Sequence, residues 1–523
     1  MLQYIRDRWF LFLVLVVFIF FKIPHLSYPF YWDESWPYAT AVHHMYDHGV
    51  SLMPGAIPGE LSRGHPLFFH AAATSWMHIF GTSNFSLHCY ALFISVLFLI
   101  VIFEAGFKLF NKRVAAIALL LITLQVCFFV QSAFLLFDML VAFLSFAAIY
   151  CYIRRKYILT IITLSALFYT KESGLIAGFV IGLDALISFF NKKETLKERI
   201  AKLAVVAIPT ILIGIFFLLQ KKILGWYVFP MYSGLIEHSW TNFWYRFRTG
   251  CVDVTFHKDY RYYFFLMVPI LCIAAAIKNR SIRYLVLLIP MVLIYYWIDD
   301  TRAGRIPSRP TFMLFIAAVV YAVTQFKKLN FFKDERAYRF MLMLNFFLFC
   351  FLCFSAMNFL TYRYLLVAIV PALFIAAVYI DGLVRKLHKW IIYSVFAAIL
   401  FFGYYSFAHD IGLGDCDLGA FHGMDVYKGL VAYLEQHSAY DKTISATNFQ
   451  TREHLIDPYT GYLSSKKIFA KVQYGLDSNT NYIVFDNVEP DNNYDSLKKL
   501  NVLRRVYSIK NGTAWGEIYE RVK

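Results

Sequence analysis

The chain has 523 residues, of which 59% are hydrophobic and only 16% charged; this balance excludes a disordered protein and an ordinary soluble enzyme and points to the membrane. Phe, Tyr and Trp supply 19% of the residues, as suits lipid-facing helices with aromatic belts at the interfaces. The formal net charge of +16 is spread over short basic clusters between apolar runs rather than along one stripe, so it reads as a topology signal and not as a nucleic-acid footprint.

In chain order, about thirteen apolar runs are long enough, or nearly so, to cross a bilayer. They lie near 9–24, 85–110, 114–131, 137–153, 157–170, 173–190, 203–220, 262–277, 284–298, 310–326, 340–358, 363–381 and 389–407. The first has no small-residue cleavage pattern at Ile23-Pro24-His25 and reads as a retained anchor. Lys and Arg collect in alternate loops: at Arg6 and Arg8, Lys112 and Arg113, Arg154 to Lys156, NKKETLKERIAK, Lys278 to Arg283, Lys327 to Arg339, and Arg385 to Lys389. The positive-inside rule makes that face cytoplasmic, with the amino terminus inside and the carboxyl-terminal segment outside. The long polar segments 25–84, 221–261 and 408–523 then share the opposite face. The cytoplasmic loops hold no Gly-rich phosphate loop, which argues against a nucleotide-driven pump. The eight cysteines fall mostly inside apolar runs and imply no disulfide framework, although one bridge between Cys251 and Cys416 is conceivable.

The first outer loop opens HLSYPFYWDESWPYATAVHHMYDHG, with Asp33 and Glu34 adjacent just beyond the first membrane helix. Two neighbouring acids at a membrane boundary repel each other and are partly desolvated, which suits one of them to general-base work. The same pair also fits the acidic first turn of a helix running through Ser35 to His48. His44 and His48, four residues apart with Asp47 beside them, have the spacing of a metal pair, but a solvated helix face accounts for them as well and no cofactor is required. Next, ELSRGHPLFFHAAATSWMHIFG reads as a loop carrying Arg63, His65 and Pro66 followed by an amphipathic surface helix. The segment 221–261 mixes aromatic and basic residues in the manner of an interfacial helix.

Taken together, the short membrane helix, the Trp-Asp-Glu acidic pair and the His-Pro-Leu loop leading into a helix that ends in Phe-Gly resemble the amino-terminal half of the GT-C glycosyltransferases. Protein O-mannosyltransferases and lipid A aminoarabinose transferases are the nearest members. Three later segments extend the resemblance over residues 5 to 380: FLLFDMLVAFL with Asp138, LFYTKESGLIAG with Lys171, and TYRYLLVAIVPALFIAA with Arg363. Glu172 and Ser173 intervene before Gly174, and Val367 stands where the family more often has proline.

The resemblance implies an inverting transferase that moves sugar from a polyprenyl-phosphate donor to an extracytoplasmic acceptor, whether envelope glycan, lipid or protein. Asp33 is then the general base and Glu34 its companion, while Asp138, His65 and Arg63 line the acceptor side of the cleft. The leaving group is an anionic lipid phosphate, so fixed cations near it stabilise the transition state. Lys171 and Arg363 are candidates, as are Arg302, Arg305 and Arg309 in WIDDTRAGRIPSRPTF, which lie on the outer side against the usual charge bias. Pairing with Asp299 and Asp300 or with lipid headgroups is the alternative account of those three arginines.

From about 408 the composition becomes that of a small soluble domain, with GLVAYLEQH helical and KTISA, NYIVFDNV, VLRRVYSI and AWGEIYERV as strands. The expected architecture is therefore a polytopic α-helical membrane domain, 1–407, with juxtamembrane helices in its first outer loop, plus an extracytoplasmic α/β domain, 408–523. Short cytoplasmic loops and the compact outer domain suggest a bacterial inner membrane. A polytopic transporter or flippase, or an envelope glycan polymerase or ligase, is the alternative. Transport sites place polar residues at mid-bilayer, whereas Asp33, Asp138, Lys171 and Arg363 are all expected at one outer face.

Overall fold

The computed structural model describes residues 2–190, 194–289, 331–332, 334–465, 467–475, 480–489 and 503–522. Arg302, Arg305 and Arg309, the acids Asp299 and Asp300, and nearly all of the apolar runs expected near 284–298 and 310–326 lie outside the described residues. By their packing the residues fall into two units: one of 1–20, 94–128 and 137–408, the other of 21–93, 129–136 and 409–523.

The first unit is helical. Among the described residues eight helices of the chain are long and apolar enough to cross a membrane, and Phe137–Ile153 and Tyr157–Phe168 are shorter apolar helices. The chain is a multi-pass integral membrane protein. The helix Leu366–Val384 is buried over its whole length; with the turn before it, the 23-residue stretch Tyr362–Val384 is long and apolar enough to cross a membrane. Its one acid, Asp381, accepts from Asn111 Nδ2 at 2.8 Å and faces Arg113 Nε at 2.8 Å and Arg385 Nε at 3.1 Å, so the charge is matched by two cations. Asn111 also caps the helix Lys112–Thr123, accepting from the N–H groups of Arg113 and Val114. Gly106 is required where that helix passes, because a Cβ there would stand 2.7 Å from the Ala115 Cα.

The apolar run expected at 114–131 is two helices, Lys112–Thr123 and Val126–Gln131. The break falls at Gln125, whose amide donates to the Leu121 carbonyl at 2.8 Å and whose oxygen accepts from Arg261 Nε at 2.7 Å. The segment 221–261 holds the one-turn helix Pro230–Ser233 and a continuous helical stretch from Trp240 to Phe256, π-helical over Arg246–Asp253, which carries the aromatic and basic residues expected of a helix there.

The second unit contains a five-stranded sheet of β1 (Thr443–Ala446), β2 (Lys471–Tyr474), β3 (Tyr482–Asp486), β4 (Leu503–Asn511) and β5 (Ala514–Arg521). The strand order is β2-β1-β3-β5-β4, with the first three parallel and the last two antiparallel. The helix Gly419–Gln436 covers β4 and β5, and Gly516 lets Leu430 and Val426 approach the strand. In the same unit the helices Thr40–His48 and Phe68–Phe80 pack through Ala41, Met45, Leu67 and Ala71, with Ile57 completing a small core. All eight cysteines are free thiols.

Candidate active site

The acidic pair occupies a 3-10 turn, Trp32–Glu34, that precedes the helix ending at His48 rather than forming its first turn. The two acids have different environments. Glu34 is fully buried: Oε1 accepts from the Leu135 N–H at 2.5 Å and faces His88 Nε2 at 2.9 Å, while Oε2 accepts from the Tyr31 N–H at 3.2 Å. A buried carboxylate is stable only when its lone pairs are taken up in this way. Asp33 keeps 25% of its side chain exposed and faces Arg63 Nη2 at 3.9 Å. One acid of the pair builds the turn, and the other is presented.

The backbone around Asp33 is unusual. Trp32 and Arg63 both adopt left-handed conformations, at φ 51° and 49°. For residues with a Cβ this costs roughly 1–2 kcal/mol and persists only where surrounding contacts enforce it, as happens at functional sites. Arg63 follows the one-turn helix Gly59–Ser62, and its guanidinium lies 5.5 Å from the centroid of the Trp36 ring. His65 is buried, with its N–H donating to the Ser62 carbonyl at 2.9 Å. Below it, the His70 imidazole is pushed down to about 3 by burial, with the neighbouring His65 adding to the effect. His44 and His48 stack on each other at 4.1 Å, and His48 Nδ1 faces the His44 carbonyl at 2.8 Å.

In the first unit three of the residues singled out from sequence meet. Asp138, in the first turn of Phe137–Ile153, accepts from Lys171 Nζ on Oδ1 and from Arg363 Nε on Oδ2, each at 3.1 Å. Lys171 sits in the turn before Glu172–Gly174, and Arg363 in the turn Tyr362–Leu365 that leads into the buried helix Leu366–Val384. The Lys171 ammonium is 3.6 Å from the Tyr364 ring centroid and 4.1 Å from that of Phe137, so aromatic faces share its charge. One buried carboxylate is thus engaged by two cations.

Arg261 braces the same turn and was not foreseen from sequence. It is fully buried, with Nη2 donating to the Tyr362 hydroxyl at 2.6 Å and Nη1 to the carbonyls of Val254 at 2.7 Å and Thr255 at 3.0 Å. His88 was also missed. Its signal was an ionisable residue inside the apolar run 85–110, a placement that is seldom idle.

The described helices and the five-stranded sheet share their fold with a solved structure. The chain is similar to ArnT from Cupriavidus metallidurans bound to undecaprenyl phosphate, with a TM-score of 0.51, 13% identity and 98% of each chain covered. The apo structure of that ArnT matches with a TM-score of 0.43 at 13% identity, covering 96% of this chain and 97% of that one. Archaeal AglB from Archaeoglobus fulgidus, in complex with an inhibitory peptide and a dolichol-phosphate, matches with a TM-score of 0.42 at 11% identity, covering 92% of this chain and 70% of that one. No family model and no curated protein matches the sequence.

Proposed function

We propose that the chain is an inverting membrane glycosyltransferase that takes sugar from a polyprenyl-phosphate donor and adds it to an extracytoplasmic acceptor. Asp33 accepts the acceptor's hydroxyl proton as that oxygen bonds to the anomeric carbon. The bond from that carbon to the phosphate oxygen breaks, and the polyprenyl phosphate leaves with the electron pair. Lys171 and Arg363 hold the phosphate and take up the charge that grows on it, while Asp138 keeps both cations in place. Glu34 fixes the turn that carries Asp33. Arg63 neutralises and orients Asp33, and His65 supports the loop that bears Arg63. Residues 1–407 are the transferase body of an inner-membrane protein with its amino terminus in the cytoplasm, and 408–523 lie outside.

The observation that carries this reading is the pair of cations set on one buried carboxylate; the ArnT structure of the same fold, bound to undecaprenyl phosphate, supports it. Deleting the gene in its host and profiling envelope lipids and glycans by mass spectrometry is the test. A polyprenyl-phosphate-linked sugar should accumulate while a glycan, lipid or protein loses that one sugar. An unchanged lipid-linked pool contradicts the proposal. Loss of labelled lipid transport into vesicles without any missing covalent linkage identifies a flippase instead.

A further inference from the structure

In an α/β sheet whose chain reverses direction across the first strand, the crevice beyond the carboxyl ends of the two flanking strands is where ligands are ordinarily taken. Here the reversal falls between β1 and β3, since β1 is followed by β2 on one side and β3 lies on the other. That crevice is closed from within. Asp486, ending β3, accepts from Asn448 Nδ2 and Thr451 Oγ1 at 2.7 Å each, and from the N–H groups of Val488 and Glu489 at 3.0 and 3.2 Å. Asn448, following β1, caps the helix Phe449–Ile456 by accepting from the Thr451 N–H at 2.8 Å. The Gln450 N–H donates to Glu489 Oε2 at 3.0 Å. These bonds fix Phe449 and Gln450 at the mouth of the crevice.

What lies against them is the acidic turn. The Trp36 ring meets the Phe449 ring at 5.2 Å between centroids in an edge-on arrangement, a contact of about 0.5–1.5 kcal/mol beyond its burial. Ser35 Oγ stands 3.1 Å from Gln450 Oε1, and Gln450 is itself buried. Thr40 Oγ1 donates to Asp457 Oδ2 at 2.7 Å, and the Phe30 N–H donates to the Thr460 carbonyl at 2.9 Å. The turn is therefore tied to the carboxyl-terminal domain on both sides of Asp33. From Phe449 the contacts continue through Trp36 to the Arg63 guanidinium at 5.5 Å and on to Asp33 Oδ1 at 3.9 Å.

We infer that the carboxyl-terminal domain is the holder of the acidic turn and that Phe449 and Gln450 are positioning residues, setting the orientation of Asp33 through Ser35, Trp36 and Arg63. The inference rests on the reading of Asp33 as the general base. It assigns the domain a part in turnover. A misplacement of about 1 Å at a catalytic group costs about a hundredfold in rate, which sets the scale of the effect.

The test uses the full-length protein in lipid nanodiscs, with amide hydrogen exchange and sugar transfer measured side by side. In Phe449→Ala/Gln450→Ala, exchange across residues 32–40 should speed up about tenfold or more, while β1 and β3 keep their protection. Transfer from the lipid-linked sugar isolated from the deletion strain should lose about 10- to 100-fold in kcat, with donor KM within about twofold, and Phe449→Tyr should restore the rate. Unchanged exchange over 32–40, or faster exchange with kcat as in the native protein, overturns the inference. Should the double variant lose protection in β1 and β3, Phe449→Leu is scored by the same two readouts. Asp33→Asn is run in parallel: if it transfers normally the general-base reading falls, and the exchange over 32–40 still reports whether the domain holds the turn.

Discussion

Replacing Glu34 separates two roles that adjacent acids in a sequence leave indistinct. Its carboxylate is fully buried and meets three partners, the N–H groups of Leu135 and Tyr31 and the His88 imidazole. In Glu34→Gln the remaining carbonyl oxygen keeps the contacts of Oε1, but the new amide NH2 faces the Tyr31 N–H, donor against donor. One buried donor is then orphaned, at a cost of about 1–3 kcal/mol. Glu34→Ala orphans all three partners and costs about 3 kcal/mol or more. A loss of 1–3 kcal/mol is roughly a 5- to 150-fold rise in local opening, which amide exchange reads directly on peptides covering 26–40 and 129–136. Asp33→Asn is the contrast. Its side chain is partly exposed, so it should cost under about 1 kcal/mol while removing transfer. Native exchange rates in Glu34→Gln, or a melting loss in Asp33→Asn as large as that in Glu34→Ala, would refute the division of roles.

Asp138→Asn removes the carboxylate that Lys171 and Arg363 both engage, and should cost about 3 kcal/mol or more. Added polyprenyl phosphate should recover more melting temperature in this variant than in the native protein, and an equal response would remove the two cations from the donor site. Stability of the second unit should fall in acid. Burial holds both His70 and His454 at about 3, against an ordinary value of 6.5. The unfolded chain therefore takes up these protons first as pH drops, and the stability present above about 6.5 is lost toward 3, by up to about 1.4 kcal/mol per pH unit for each histidine. Asp486 works in the opposite sense, because burial raises its carboxyl and its contribution declines as pH rises through the raised value. His454→Phe, which keeps the ring packed between Tyr427 and Tyr462, should flatten the acid limb of a melting profile in detergent; an unchanged slope would show that His454 is not responsible.

Local patterns carried much of this structure in the sequence. The helix after His65, the helix opening at Asp138 and four of the five strands follow from short-range periodicity and breakers, and the turn at Lys171 from the resemblance of its motif. The strand β2 escaped notice because KVQY is short and largely exposed on both faces, and so has no alternation to read. Run 114–131 concealed its break because only Thr123 and Gln125 interrupt it, and Arg261, which engages Gln125, lies 136 residues away. The acidic pair stood out in the sequence, but not as two residues in different environments. Glu34 owes its burial to His88 and Leu135, 54 and 101 residues further on, and Ser35 meets Gln450 across 415 residues. Contacts of that range arise from tertiary packing, and no local propensity encodes them.

Reconstituted protein, supplied with the radiolabelled lipid-linked sugar that accumulates in the deletion strain and with acceptor from the same envelope, gives the most direct measurement. Native protein should release polyprenyl phosphate and label the acceptor with inverted anomeric configuration, and Asp33→Asn should lose about 10²- to 10⁴-fold in that rate while still binding the lipid. Native-level transfer by Asp33→Asn, or retention of configuration in the product, would contradict the assignment of Asp33 as the base.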